Sequence, residues 1–330
     1  MKSLPKNKIH SAYIAGAALF LAAALFGLLF GSTRVGFADI FDALCGKSDT
    51  PEARIIIFVR LPRTLAALLV GAALSVAGAV LQGVLENRLA SPRIIGVNSG
   101  AGLAVTLAMA LGTLGGWRLS LAAFVGAFGA AIIVSLAARK WGASRGTVIL
   151  IGVAMNSFLG AISDTVKTLI PEIGVMSNDF KMGSFSSVTY SELAPAALMI
   201  LLSLAVLFSL ANELDVLRLG EHSARALGMS TRTTRVIFLL LSALLAGASV
   251  SIAGLISFIG LIVPHAVKAI AGNRSASLLP LSALFGGAFV SLSDTAARVI
   301  FAPYEVPVGI LTAFIGAPFF VFILVKRRKA

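Results

Sequence analysis

Nine stretches of the chain contain no Asp, Glu, Lys or Arg: Ser11–Thr33, Thr64–Leu85, Ile94–Trp117, Leu119–Ala138, Gly146–Ser163, Leu193–Asn212, Val236–Val267, Ser275–Ser293 and Val306–Val325. A helix rises about 1.5 Å per residue, so about 20 apolar residues cross a hydrocarbon core about 30 Å thick. Eight of the nine stretches suit one crossing each. The seventh, Val236–Val267, has 32 residues and would make a helix about 48 Å long, too long for one crossing. It carries Gly254, Gly260 and Pro264, which break or kink helices, and it reads as two segments. The pattern predicts ten membrane helices. The expected fold is all-α and polytopic, with residues 1–330 forming a single transmembrane domain.

Composition agrees, with 58% hydrophobic and 12% charged residues against about 25% charged in a soluble domain. The pairs Gly27/Gly31, Gly96/Gly100 and Gly112/Gly116 have the small-xxx-small spacing of tight helix contacts. The first apolar stretch is too long for a signal-peptide core and is read as the first membrane helix.

An even number of crossings puts both termini on one side. With that side taken as cytoplasmic, eighteen of the 27 Lys and Arg lie inside, with four of the 14 acidic residues. The inner face then carries +14 and the outer face −1, the asymmetry expected of a membrane protein. A pI of 10.6 would suggest nucleic acid in a soluble protein, but basic flanks beside anionic headgroups account for it here. No nucleic-acid partner is expected.

Catalytic and metal chemistry find little support. Cys45 is the only cysteine, and His10, His222 and His265 lie on different segments without ligand spacing. Gly46-Lys47-Ser48 resembles the end of a phosphate-binding loop, yet Phe41 stands where its first glycine belongs. The apolar stretches hold no carboxylate of the kind that gradient-driven carriers keep within their spans. Asp164 and Asp294 fall at outer helix ends, and Asp294 is four residues before Arg298, the spacing of a helical ion pair. Energy for uphill transport is therefore expected from a separate subunit.

The longest inner loop, Glu213–Arg235, is not linker-like. Leu214, Leu217, Ala224 and Leu227 give short apolar stripes, and Glu221 and Arg225 are four apart on the polar side. Gly220 and Gly228 punctuate it, which predicts two short helices separated by a turn. Such helices either fill a partner's groove or rest on lipid.

RLPRTLAALLVGAALSVAGAVLQGVLENRLASPRIIGVNSGAG, Arg60–Gly102, resembles the signature of the iron-chelate and vitamin B12 permease family of ABC importers. GLISFIGLIVPHAVKAIAGNR, Gly254–Arg274, does too, as does the run from Asp294 and Arg298 through Glu305–Gly309 to Gly316-Ala317-Pro318. The resemblance implies a non-enzymatic permease of the cell membrane, paired with a second copy around one pathway. Two ATPase subunits would bind the inner face, and an external substrate-binding protein would deliver the solute. ATP and Mg would sit in the ATPase, leaving this chain without a cofactor or metal of its own. A ferric siderophore is the expected cargo, with haem, cobalamin and oxyanions as alternatives.

Roles follow by resemblance. Leu217, Gly220, Glu221, Ser223, Ala224, Arg225, Leu227 and Gly228 match the coupling helices that dock on the ATPase. Arg60, Arg63 and Arg298 match arginines that pair with glutamates of the binding protein; lipid-boundary anchoring is the competing role. Asn87, Leu89 and Ser144 match the cytoplasmic gate, where Arg88 replaces the usual Pro. Phe180, Lys181, Gly183 and Ser184 are translocation-path candidates, in a region where the family tends to carry Trp. His265 belongs to a general Pro-His motif and is expected to make a structural hydrogen bond.

Overall fold

The computed structural model describes residues 6–31, 33, 35–45, 50–113, 115–140 and 145–328. The chain opens with α1 (Lys6–Leu29), α2 (Phe37–Leu44) and α3 (Pro51–Ile55). A five-residue π-helical turn, Ile56–Arg60, leads straight into α4 (Leu61–Val84). There follow α5 (Val97–Ala110), α6 (Gly116–Lys140), α7 (Arg145–Leu169), α8 (Pro171–Met182) and α9 (Tyr190–Ser209). The segment after α9 forms α10 (Ala211–Leu217) and α11 (Glu221–Ala226), and α12 (Thr231–Ala253), α13 (Ile259–Ala271), α14 (Ser275–Val299) and α15 (Val308–Arg328) complete the fold.

Seven helices are long and apolar enough to cross a membrane, and three shorter apolar ones accompany them: Val97–Ala110, Ile259–Ala271 and Val308–Val321. The long Val236–Val267 stretch divides as its glycines require, α12 ending at Ala253 and α13 starting at Ile259. The Ile94–Trp117 stretch forms less helix than its length suggests. A short turn at Pro92–Ile95 and a left-handed Gly96 delay the start of α5, and its 14 residues reach only about 21 Å.

The core forms around α4, which packs on α14, α12 and α13. Of the most apolar window in Pro51–Val84, 89% is buried, against 17% in Gly146–Leu169. Backbone proximity explains why α4 is so rich in small residues. A side chain on Gly71 would overlap the Gly286 carbonyl of α14, and one on Gly78 would overlap Gly260 of α13. With no hydrophobic drive between helices in lipid, such close contact supplies the attraction through van der Waals packing. Among the three small-xxx-small pairs, Gly27 closes on Thr64, Gly31 on Arg60 and Gly100 on Gly126, while Gly112 and Gly116 face open space.

Candidate functional site

The π-helical turn sets the amino end of α4. By widening the helix just before Leu61 it leaves the Arg60 guanidinium against the carboxyl end of α1, where the last carbonyls have no helical partner. Arg60 donates from Nη1 to the Leu28 and Leu29 carbonyls at 2.7 Å each, and from Nη2 to the Thr33 carbonyl at 2.5 Å. One turn on, Arg63 grips Asp294 of α14 with two bonds, Nε to Oδ2 at 2.9 Å and Nη2 to Oδ1 at 3.0 Å. Its Nη1 also donates to Glu305 Oε2 at 2.7 Å. Arg298 approaches the same carboxylate, Nε to Oδ2 at 3.2 Å, and donates to the Gly27 carbonyl of α1 at 3.2 Å.

These contacts show where the three arginines expected to dock the binding protein sit in the packed chain. Arg60, Arg63 and Arg298 are only 3%, 4% and 4% exposed, and each donates hydrogen bonds within the chain. They tie α1, α4 and α14 together. The Asp294–Arg298 helical pair is present, but Arg63, 231 residues away in sequence, is the second and bidentate partner of Asp294.

The translocation-path candidates meet at a junction of three breaks. Leu255 N, in the gap between α12 and α13, donates to the Phe180 carbonyl at 3.0 Å, and Ser184 N donates to the Ala253 carbonyl at 2.9 Å. Gly309 N, in the first turn of α15, donates to the Gly183 carbonyl at 3.2 Å. Gly183 and Gly254 have φ of 70° and 65° and abut backbone from the opposing segment, so a side chain at either fits neither the conformation nor the space. Lys181 is exposed. Phe258 opens α13 at φ 70°, a strained conformation for a bulky residue. A cavity of about 100 Å³ lies against this break, lined by Leu74, Ser91, Asn98, Val250, Ser257 and Phe258 among others.

The opposite end of α14 is held differently. Asp215 of α10 accepts from Ser275 N at 3.0 Å and Ser275 Oγ at 2.6 Å, capping the amino end of α14. Arg218 donates to the Asn273 carbonyl at 2.5 Å. The two short loop helices form, and Glu221 and Arg225 pair on the polar side of α11. Ser223, Arg225, Leu227 and Gly228 are exposed, Leu227 at 66%. Leu217 and Ala224, expected to face a partner, are buried and fasten the loop to the body.

Asn87 Oδ1 accepts from Leu89 N at 2.9 Å, a local turn across Arg88, and Leu89 is exposed beside it. Ser144 lies outside the described residues. Lys268 donates to Gln82 Oε1 at 2.6 Å, and Gln82 Nε2 passes the link to the Gly260 carbonyl at 2.8 Å. Sequence reasoning missed this relay and the Asp215 cap, because neither spacing nor periodicity connects residues so far apart. Among the described residues no group of three or more His, Cys, Asp or Glu stands ready to hold a metal.

The sequence profile of the FecCD transport family matches residues 19–326. The Fe(3+)-citrate import system permease protein YfmD of Bacillus subtilis is 34% identical over 96% of this chain and 95% of its own length. The hemin transport system permease protein HmuU of Yersinia pestis is 34% identical over 94% of this chain and 95% of its own. A solved inward-facing structure assigned to the metal-chelate type of ABC transporter superposes with a TM-score of 0.85, at 32% identity, over 95% of this chain and 98% of that one.

Proposed function

This chain belongs to the FecCD transport family, and we propose that it is the permease subunit of an ABC importer carrying a ferric siderophore across the cell membrane. Haem, cobalamin and oxyanion cargoes are the alternatives within the same reading. The single observation that carries the mechanism is the anchoring of the α10–α11 loop to α14 through Asp215. A 25-residue helix extends about 37 Å. Force applied to the loop by an ATPase is therefore delivered along α14 to the Asp294 cluster at its far end. Gly220, Glu221, Ser223, Arg225, Leu227 and Gly228 form the contact surface for that ATPase, and Asn87, Leu89 and Ser144 the cytoplasmic gate.

In this reading the seven long helices and three shorter apolar ones make ten crossings, with both termini cytoplasmic. Two copies enclose the pathway, two ATPase subunits bind ATP and Mg on the inner face, and an external binding protein delivers the cargo. This chain needs no cofactor. The test is reconstitution in proteoliposomes with the cognate ATPase and external binding protein. ATP-dependent uptake of a ferric siderophore is expected. Uptake driven by an ion gradient without the ATPase would overturn the reading in favour of a secondary carrier.

A further inference from the structure

We infer that Lys167 of α7 and Lys181 of α8 form a recognition site for a carboxylate-bearing metal chelate at the outer mouth of the permease. The inference rests on the chelate-importer reading and membrane orientation proposed above, and it narrows the cargo by charge.

The observations begin on α7. Asn156, Ser163 and Lys167 are spaced by seven and then four residues, which puts them on one helical face. The first two are satisfied by the neighbouring helix: Ser99 Oγ donates to Asn156 Oδ1 at 2.7 Å, and Thr106 Oγ1 meets Ser163 Oγ at 3.1 Å. Helix α5 ends at Ala110, so this polar seam has no α5 partner to offer Lys167. Instead α8 crosses there, close enough that a methyl group on Gly174 would touch Lys167 Cβ at 3.9 Å.

Lys181, in the last turn of α8, brings its ammonium group within interaction range of that of Lys167. Ammonium groups are donors only and cannot hydrogen-bond each other, so the pair repels unless an anion lies between. The anion present is Asp164, whose Oδ1 is 3.6 Å from Lys167 Nζ and whose side chain is 74% exposed. The acids of α8, Glu172 and Asp179, are exposed and are not among the charges acting on Lys167. The Asp164 carboxylate thus stands beside Lys167, beyond hydrogen-bond distance, with the second ammonium group next to it.

Recess selects the ligand. The Lys167 side chain is 13% exposed while Lys181 is exposed, so a small anion reaches both groups where a broad protein surface reaches only the outer one. The carboxyl end of α8 continues into the Phe180–Ser184 junction with the α12–α13 gap and α15. An anion held by Lys181 thus sits on the element joined to those breaks.

The test uses the full complex in proteoliposomes and follows uptake of three probes: iron-55 citrate, a neutral ferric trihydroxamate and cobalamin. Wild type is expected to import ferric citrate, and Lys167→Gln combined with Lys181→Gln to reduce that uptake at least tenfold. Lys181→Arg should stay within about twofold of wild type. Basal ATPase activity and binding-protein affinity of the double variant should match wild type, which separates lost recognition from misfolding or lost docking. An unaffected double variant, equal loss of charged and neutral probes, or a wild type that imports only neutral probes would each overturn the inference while leaving the importer reading intact. A citrate defect that vanishes in liposomes without anionic lipid would assign the lysines to headgroups and overturn it too. Uptake of none of the probes would defeat the chelate reading, and the inference with it.

Discussion

The two ends of α14 each depend on one aspartate, and the two aspartates do opposite work. At the carboxyl end Asp294 is buried and answers two guanidinium groups, with Glu305 completing the balance for Arg63. At the amino end Asp215 is partly exposed and accepts from the first backbone N–H and side-chain hydroxyl of the helix. The carboxyl-end site holds charges that water no longer solvates, so every partner is obligatory. The amino-end site is a cap that water can partly replace. One end of the rod is built to resist change and the other to be moved.

The most severe way to break that contrast is Asp294→Ala. It strands Arg63 and Arg298 in a buried site, and losing one partner of a buried ion cluster costs about 3–5 kcal/mol. Thermal unfolding of the complex in nanodiscs should show it; a loss under about 1 kcal/mol would mean that water reaches the cluster. Next comes Arg60→Ala, which orphans the carbonyls ending α1. The expected loss is about 1–3 kcal/mol, with early hydrogen exchange confined to the last turn of α1. Unchanged exchange there would deny Arg60 its capping role. The same contacts mean that reversing charge at Arg60 and Arg63 destabilises the permease itself.

Asp215→Ala should cost less, about 0.5–2 kcal/mol, with Asp215→Asn recovering most of it because an amide oxygen still caps. If Asn behaves like Ala, the charge rather than the cap matters at this end. The smallest effect on stability belongs to Glu221→Lys, since an exposed ion pair is worth under about 1 kcal/mol. Its functional effect should be large all the same: ATP hydrolysis continuing while uptake fails. Normal coupling in that variant would remove α11 from the ATPase contact.

Much of this architecture is legible in the sequence. Where hydrophobicity runs without interruption, helices form, and the overlong Val236–Val267 stretch breaks at the glycine inside it. The loop helices are legible because their signals are local: glycines at both bounds and a charge pair at helical spacing. The arginines are not. A sequence shows that Arg60 and Arg63 flank an apolar run, and flanking arginines ordinarily face water or a partner. Nothing local reveals that a π-helical turn aims one at α1 or that Asp294 and Glu305 await the other.

What the sequence determined by itself was therefore whatever depends on neighbours along the chain: an all-helical membrane protein, the location of its apolar helices, and the strong basic bias of the loops assigned to one side. Hydrophobic burial adds up residue by residue, so a run of apolar side chains is sufficient to mark a buried or lipid-facing helix. Tertiary structure alone decided which charges are buried, which glycines admit a second backbone, and that one aspartate binds two arginines while another caps a helix. Ion pairing and backbone contact fall off steeply with distance in space and ignore distance in sequence. Only the packed fold could place Arg63 and Asp294 within 2.9 Å of each other.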